Sequence, residues 1–392
     1  MHNKLRLLTP GPTPIPEQVR LALAQDMIHH RKSKFQSILN EIQLNLQHLF
    51  NTNQPVLPLS CSGTGAMDAA VSNLFSTGET VIVVEGGKFG QRWRQIAETY
   101  GIEVISVQVP PGESVQPQEI EDILSQNKHI SGILIQASET STGVLHPIRE
   151  IAQLTQDENI LLVVDGISAI GISPCPMDKW GLDCLLTGSQ KGIMLPPGLA
   201  LIALSEKAWQ KAEQVNPKNF YFNLLQEKQK NKQGQTLFTS PVNLIMGLKT
   251  SLELFFEQDL KQIYQKYWAM TRMTRTGVQT MGLDLLVNSD FTWGLTSISL
   301  PQQIDGQSIA SYANKHFNVV MAGGQGDLKG KIIRIGHMGY VDWADILAGL
   351  YALRESAQAC GCQLPDKKDY LEQAMTAYQQ AWQEQPKLMR AG

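Results

Sequence analysis

Cysteine and clusters of like charge are scarce in this sequence. Its 392 residues include five cysteines, whose odd number and wide spacing argue against a disulfide framework: Cys61, Cys175, Cys184, Cys360 and Cys362. The last two are close together, but no other cysteine or histidine stands at metal-ligand spacing, so we expect no metal site. The formal net charge is −3 at pH 7, and the chain has no basic arm. Nucleic acid is therefore not expected as a partner.

Long apolar runs are also missing. No window approaches the roughly 18 uncharged apolar residues of a membrane span. The segment from Met1 to Pro10 has too short an apolar run for a signal peptide, and Gly11-Pro12 follows at once. We therefore predict a cytoplasmic protein with no membrane partner.

The chain does show an alternation of strand-like and helix-like segments between residues 55 and 205. The strand-like segments are short apolar runs: Val56–Leu59, Thr80–Val84, Glu103–Val109, Gly132–Gln136, Ile160–Val164, Cys184–Thr187 and Leu199–Leu204. Most are continuously apolar, as strands are when helices cover both faces of a sheet. The pattern predicts an α/β fold with a mostly parallel seven-stranded sheet that binds ligands at the carboxyl ends of its strands.

The rest of the chain predicts a second, smaller unit. The polar segment Lys228–Gly234 is expected to be an exposed loop, and one long helix is expected from about Val242 to Met281. Further on, strand-like segments (291–300, 317–321, 331–335) alternate with helical ones (304–316, 341–359, 366–385), with a loop at 322–326. We predict an N-terminal arm (1–20), a large domain (21–262) and a smaller C-terminal α+β domain (263–392).

Two of the predicted strands are followed by residues that suit a bound cofactor. Ser62-Gly63-Thr64 opens a helix, where free backbone N–H groups form either an anion site or a plain structural turn. Phe89 lies in a glycine-rich loop, where an aromatic ring either stacks on a flat ligand or anchors the next helix.

Two later strands end in charged residues. Asp165 ends an apolar strand, where its carboxylate needs a partner: a protonated heterocyclic nitrogen or the following turn. Lys191 follows the next strand, and a lysine there is either a surface charge or a nucleophile. An anion site, an aromatic ring, an acid and a lysine at one sheet edge together match the needs of pyridoxal 5′-phosphate.

These motifs, in this order, resemble class V pyridoxal-phosphate aminotransferases of the alanine–glyoxylate, serine–glyoxylate and serine–pyruvate type. The resemblance covers nearly the whole chain, and its most specific blocks are Ser189-Gln-Lys191 with Pro196-Pro-Gly198, and Arg334-Ile-Gly-His-Met-Gly339. The other matching segments are Leu8–Thr13, His30-Arg31 with Phe35, Ser62–Met67, Gly90-Gln-Arg92, Ser138–Gly143, Val164-Asp165 and Phe220–Phe222. The resemblance implies the pyridoxal-phosphate-dependent transferase fold of type I.

The resemblance also implies a role for each matching residue. Lys191 would form the Schiff base with the cofactor, and Asp165 would pair with its pyridine nitrogen. Arg334 would bind the substrate α-carboxylate with its planar fork, and Gly11 is a second predicted substrate-binding residue. The other predicted cofactor contacts are Ser62, Gly63, Thr64 and Gln190 at the phosphate, Phe89 and Ile167 at the two ring faces, and Thr140 near the phenolic oxygen.

One position departs from the family pattern. In the family, a Tyr-x-x-Thr segment before a proline reaches the phosphate from the partner subunit of a homodimer. Here Thr239 matches the threonine, but Thr236 stands in the place of the tyrosine. The resemblance thus implies a homodimer with active sites at the interface, and the departure predicts weaker cofactor binding or a wider substrate entrance.

The implied reaction is ping-pong transfer of an amino group from alanine or serine to glyoxylate or pyruvate. Lys191 would act first as general base and then as general acid. Another class V reaction such as a lyase stays open, and so does a non-catalytic role in a larger complex, as for relatives labelled soluble-hydrogenase subunits. Cysteine desulfuration is disfavoured because residues 308–333 contain no cysteine.

Overall fold

The computed structural model describes residues 4–156, 159–216, 218–366 and 369–391. The described strands are, in chain order, Arg6–Leu8 (β1), Val56–Leu59 (β2), Thr80–Glu85 (β3), Glu103–Gln108 (β4), Ile130–Gln136 (β5), Ser138–Glu139 (β6), Val144–Leu145 (β7), Leu161–Asp165 (β8), Cys184–Gly188 (β9), Ala200–Leu204 (β10), Asp284–Leu285 (β11), Leu295–Ser299 (β12), Val319–Gly323 (β13) and Ile332–Gly336 (β14).

The described helices are Glu17–Leu23 (α1), Ser33–Phe50 (α2), Gly63–Leu74 (α3), Lys88–Thr99 (α4), Pro117–Gln126 (α5), Ile148–Gln153 (α6), Met177–Trp180 (α7), Glu206–Gln214 (α8), Leu224–Asn231 (α9), Val242–Phe256 (α10), Leu260–Thr280 (α11), Gly306–Phe317 (α12), Trp343–Ala359 (α13), Tyr370–Ala381 (α14) and Lys387–Ala391 (α15). A 3₁₀ turn covers Gly326–Leu328. None of these helices combines the length and the hydropathy that a bilayer crossing requires.

The larger sheet contains all seven strands that the sequence predicts for it. Their order is β2-β10-β9-β8-β5-β3-β4, and β10 runs antiparallel to both of its neighbours while the other pairs are parallel. Alternate residues of a strand contact different cores: Leu162 and Val164 belong to one apolar cluster, and Leu161 and Val163 to another. Burial on both faces explains why the strands are continuously apolar.

The second sheet joins the two ends of the chain. Its order is β1-β13-β14-β12-β11, with β1 parallel to β13 and the other pairs antiparallel. The predicted N-terminal arm therefore supplies a strand to the C-terminal sheet, in a register that pairs Leu8 with Met321. Residues 1–3, 367, 368 and 392 of the predicted arm and C-terminal domain lie outside the described residues. The division at residues 20 and 262 stays a proposal.

The prediction of an exposed loop at Lys228–Gly234 was wrong for its first half. Helix α9 continues to Asn231, and its start is capped by Asn223, whose side chain accepts a hydrogen bond from the Gln226 N–H. Glu227 is buried on this helix and accepts the Leu237 N–H at 2.9 Å. A polar sequence concealed the buried face, because the partner of Glu227 comes from a later loop.

Two further boundaries differ from prediction. The expected helix from Val242 to Met281 is two helices, since α10 ends at Phe256 and Asp259 caps the start of α11 by accepting the Lys261 N–H at 3.1 Å. Ala322 and Gly323, expected in a loop, end strand β13 because they pair with β14.

Candidate active site

The carboxyl ends of the parallel strands bring most of the predicted site residues to one edge of the larger sheet. In strand order, Ser62, Gly63 and Thr64 follow β2, Phe89 follows β3, Thr140 follows β5 and β6, Asp165 ends β8 with Ile167 just beyond, and Gln190 and Lys191 follow β9. Parallel strands end at the same edge of a sheet, so residues from distant parts of the chain meet there.

Lys191 is buried, with 8% of its surface exposed, and the N-terminal segment packs over it. Its Nζ donates a hydrogen bond to the Pro10 carbonyl, and Thr13 Oγ1 donates to the Lys191 carbonyl at 3.0 Å. Gly11 has φ +102°, and a Cβ there would lie 2.5 Å from Lys191 Cδ. Both the backbone conformation and the space therefore require glycine at position 11. Gly11, predicted to bind substrate, lies directly against the lysine.

The turn that carries Lys191 is held on its other side by the Pro196-Pro-Gly198 loop. The Ser189 hydroxyl donates to the Pro196 carbonyl at 2.6 Å and accepts the Leu199 N–H at 3.3 Å. These bonds tie the segment that carries Lys191 to the loop and restrict its movement.

Burial shifts the two ionisable groups at the centre of the site in opposite senses. It lowers the pKa of Lys191 to about 8, an effect that Asp165 partly offsets and that Arg334 and Arg92 increase. It raises the pKa of Asp165 to about 7, although Asp165 Oδ1 accepts the Ile167 N–H at 2.8 Å. The Lys191 amine therefore loses its proton more readily than an exposed lysine does, and a cationic partner would stabilise the charged form of Asp165.

Arg334 is buried on strand β14, and its side chain contacts β13 and the residue that follows β6. Its Nε and Nη2 donate to the Gly323 carbonyl at 3.0 and 2.6 Å, and its Nη1 donates to the Thr140 carbonyl at 2.7 Å. Within the described residues it forms no ion pair, although burial lowers its pKa. The Glu139 carboxylate acts on Arg334 electrostatically without forming an ion pair with it, and a buried guanidinium that lacks an ion-pair partner suits an incoming carboxylate.

The start of helix α3 has free hydrogen-bond donors. Ser62 is the N-cap residue, yet its exposed hydroxyl makes no capping bond. A Cβ at Gly63 would collide with Ile167 Cδ1, so glycine allows the helix start to approach the β8 end. Gln190 Oε1 is buried and has no hydrogen-bond partner among the described residues. The Ser62 hydroxyl and the free N–H groups of the first turn can donate to an anion, and the Gln190 amide could do so only with its NH2 group turned toward that anion.

The groups predicted to flank a flat ring are present at the same edge. Phe89 is half-buried in the first turn of α4, and Ile167 is 8% exposed. Thr140 is buried, and its Oγ1 lies 3.2 Å from Ser168 Oγ. Ser168 was not predicted from the sequence, because only the fold brings it to Thr140.

Glu139 is a buried residue that the sequence reasoning missed. Its carboxylate accepts the N–H groups of Phe89 at 3.1 Å, Gly90 at 3.2 Å and Ser141 at 3.0 Å. It thereby caps helix α4, whose own N-cap residue, Gly87, has no side chain. Burial raises the pKa of Glu139, but these donors favour its charged form.

Arg92 was also missed, although it stands three residues after Phe89 on the same helix face. Its Nη1 donates to Thr64 Oγ1 at 3.0 Å, and its guanidinium lies 4.8 Å from the centre of the Phe89 ring. The spacing from Phe89 is the sequence feature that would have indicated it.

Thr239 is the predicted site residue that the single chain does not bring to this edge. It is exposed and lines a different pocket, together with residues 27–30 and 240–244. Thr236 is buried, and its hydroxyl donates to the Phe238 carbonyl at 2.8 Å, so it bonds within its own loop.

A family model described as aminotransferase class-V matches residues 9–338. The chain belongs to the class V aminotransferases. Members of this family with known functions include relatives that span almost all of the chain. The serine–glyoxylate aminotransferase of Methylorubrum extorquens is 31% identical over 88% of this chain and 89% of its own length.

Two further comparisons place this class V aminotransferase among its relatives. A Synechococcus protein named soluble hydrogenase, small subunit, is 36% identical over 90% of this chain and 93% of its own length. The crystal structure of ureidoglycine–glyoxylate aminotransferase from Bacillus subtilis superposes with a TM-score of 0.90 at 25% identity, covering 97% of this chain and 99% of that one. The protein therefore has the pyridoxal-phosphate-dependent transferase fold and is an aminotransferase of that class.

The family implies pyridoxal phosphate, and the residues at the sheet edge fit that group. The uncapped hydroxyl of Ser62 is a donor that suits a phosphate, and so would be the Gln190 amide with its NH2 group in the place of the unpartnered oxygen. The buried acid Asp165 suits a ring nitrogen, and Lys191 suits the aldehyde.

Uptake of the cofactor by this aminotransferase is expected to accelerate as pH rises through about 8. The neutral amine of Lys191 is the attacking form, and the pKa of that amine is lowered to about 8, so its neutral fraction grows above that pH. The measurement is the growth rate of visible absorbance when pyridoxal phosphate is mixed with cofactor-depleted protein. Nα-acetyl-lysine, with an ordinary amine, is the control and should respond at higher pH. A protein rate that follows the control would contradict the prediction.

Proposed function

We propose that the protein transfers an amino group between a small amino acid, alanine or serine, and a 2-oxo acid, glyoxylate or pyruvate. The observation that carries the proposal is the buried guanidinium of Arg334, which forms no ion pair among the described residues and acts electrostatically on Lys191. An amino acid and a 2-oxo acid share an α-carboxylate, so one arginine serves both half-reactions.

The residues of the chain divide the work. When bound, pyridoxal phosphate supplies a carbonyl carbon that links to amines and a ring that accepts electrons from the substrate α-carbon. Asp165 keeps a proton on the ring nitrogen, because a buried carboxylate favours an adjacent cation. Lys191 in its neutral form would take the proton from the substrate α-carbon and give it to the carbon that was the cofactor's aldehyde. Arg334 holds the substrate by its carboxylate and restricts its rotation.

The contacts of Arg92 support a small, uncharged amino donor. Arg92 donates to Thr64 at the α3 start, whereas Arg334 donates to the Gly323 and Thr140 carbonyls. Because this bond holds Arg92 at the α3 start, we assign no second arginine to a side-chain carboxylate of the substrate. The names of the relatives do not decide between donors: one is a serine–glyoxylate aminotransferase, and one from Paracoccus denitrificans, 32% identical, is an L-aspartate–glyoxylate aminotransferase.

The purified protein is expected to be yellow and to lose its visible absorbance on addition of L-alanine or L-serine. Addition of glyoxylate or pyruvate should restore the band, because the second half-reaction regenerates the starting form of the cofactor. L-lactate has the carboxylate but no amine, and it should leave the band unchanged. A spectrum that responds to no amino acid would sink the proposal.

Three finer features belong to the same proposal. We place the enzyme in the cytoplasm as a homodimer, in which Thr239 of the partner subunit completes the phosphate site. The exposure of Thr239 in the single chain supports this arrangement. Two alternatives to transamination are kept. One is a non-catalytic role in a larger complex, favoured by the name of the Synechococcus relative. The other is a lyase reaction at the same site.

A further inference from the structure

The donors predicted for the cofactor's phosphate are all neutral. Ser62 offers a hydroxyl, Gly63 and Thr64 offer backbone N–H groups of the first turn of α3, and Gln190 offers an amide. A phosphate monoester carries close to two negative charges at neutral pH, and a helix N-terminus contributes only about half a positive charge. The predicted set therefore lacks a full cation.

Arg92 stands beside this set. Its Nη1 donates to Thr64 Oγ1 at 3.0 Å, and Thr64 is the second residue of α3. The guanidinium also lies over the Phe89 ring, 4.8 Å from its centre, which fixes the plane of the side chain. Two independent contacts thus hold the cation between the helix start and the predicted ring-stacking residue.

Arg92 lacks an ion-pair partner in the part of the chain that the structure describes, unlike its neighbour on the same helix. Arg94 pairs with Glu85 at 3.0 Å and with Glu98 at 3.1 Å. Arg92 forms no such pair among the described residues. Its charge also reaches the two groups at the centre of the site: it adds to the lowering of the Lys191 pKa and slightly opposes the raising of the Asp165 pKa by burial. An unpaired, positioned guanidinium is suited to bind phosphate oxygens.

The Thr239 loop makes this charge more important. Thr236 replaces the tyrosine that the family pattern places there, and its hydroxyl is occupied by the Phe238 carbonyl. One phosphate donor expected of a partner subunit is therefore absent at that position.

We propose that Arg92 is the cationic anchor of the cofactor's phosphate group, which it binds together with the start of helix α3. This inference rests on the proposed function, because it requires pyridoxal phosphate at this edge of the sheet. It adds a binding residue that the sequence did not assign.

The test compares two ligands that differ only in the phosphate. Cofactor-depleted protein is titrated with pyridoxal 5′-phosphate and, separately, with pyridoxal, and both dissociation constants are read from absorbance and fluorescence. R92Q should weaken binding of the phosphate ester about 10- to 100-fold, the usual effect of losing hydrogen bonds to a charged group, and leave pyridoxal unchanged. R92K keeps the charge without the planar fork and should lose about three- to tenfold.

The matched control is R94Q, which removes an ion-paired arginine two positions along the same helix. It should leave both dissociation constants unchanged. Equal weakening of both ligands by R92Q would overturn the proposal, because it would assign Arg92 to the ring rather than to the phosphate. An unchanged phosphate-ester affinity in R92Q would overturn it as well.

Failure of the proposed function gives a different result. If the wild-type protein binds neither ligand, the aminotransferase proposal fails before Arg92 is tested. If R92Q melts far below the wild type, the comparison of R92K with wild type decides: a selective loss for the phosphate ester supports the proposal, and equal affinities for both ligands oppose it.

Discussion

Replacing Lys191 with alanine is expected to reduce turnover about 10⁴-fold or more, since the side chain serves both as covalent attachment point and as proton carrier. Its burial and the lowering of its pKa to about 8 make it available as a neutral amine. Turnover is measured with L-alanine or L-serine and glyoxylate. In a second measurement, borohydride treatment should fix the cofactor to Lys191 in the wild type and to no residue in K191A.

The control is K266A. Lys266 lies on α11, and burial also lowers the pKa of its amine, but the charges that act on it are Asp342 and Asp345 rather than the site residues. K266A should keep wild-type turnover. If K191A retained activity comparable with K266A, the catalytic assignment would be wrong. If cells with K191A lost no function and this variant still bound its natural partner, the result would support the non-catalytic interpretation.

Replacing Arg334 with glutamine is expected to lower kcat/KM for the amino donor about 10²- to 10³-fold, mainly by raising KM. The guanidinium is the buried cation predicted for the substrate carboxylate, and glutamine offers neither charge nor fork. R334K should recover only part of the loss, because an ammonium group cannot make a bidentate bond. Steady-state kinetics with varied L-alanine or L-serine measure the effect.

Arg354 supplies the matched control for that experiment. It is also a buried arginine, and its Nη2 donates to the Pro365 carbonyl at 2.9 Å. R354Q removes a comparable group outside the site and should change stability more than KM. If R354Q and R334Q raise KM equally, the effect is structural and Arg334 is not the carboxylate-binding residue.

The sheet and its ligand edge were predictable because they depend on local patterns. Continuous apolar runs marked the strands, since both faces of the larger sheet are covered. Residues that follow parallel strands must meet at one edge, so Ser62, Asp165 and Lys191 were placed together from the sequence alone.

The features that escaped prediction depend on partners far away in the chain. The second half of α9 was predicted as a loop because Lys228–Asn231 is polar, and the helix is fixed partly by Glu227, whose buried carboxylate takes its donor from Leu237. Glu139 and Arg92 gained significance only from contacts with Phe89, Gly90 and Thr64, which the strand alternation does not specify.

The sequence by itself determined the fold class and the chemical types at the sheet edge: a lysine, an acid, an aromatic ring and a helix start with free donors. Only the tertiary structure decided the protonation of these groups and the residues that hold them in place. Lys191 meets the Pro10 carbonyl across 181 positions, and Arg334 meets the Thr140 carbonyl across 194. Burial at these meetings sets the pKa of Lys191 near 8 and that of Asp165 near 7. Desolvation depends on every neighbouring atom, so it appears only once the chain is folded.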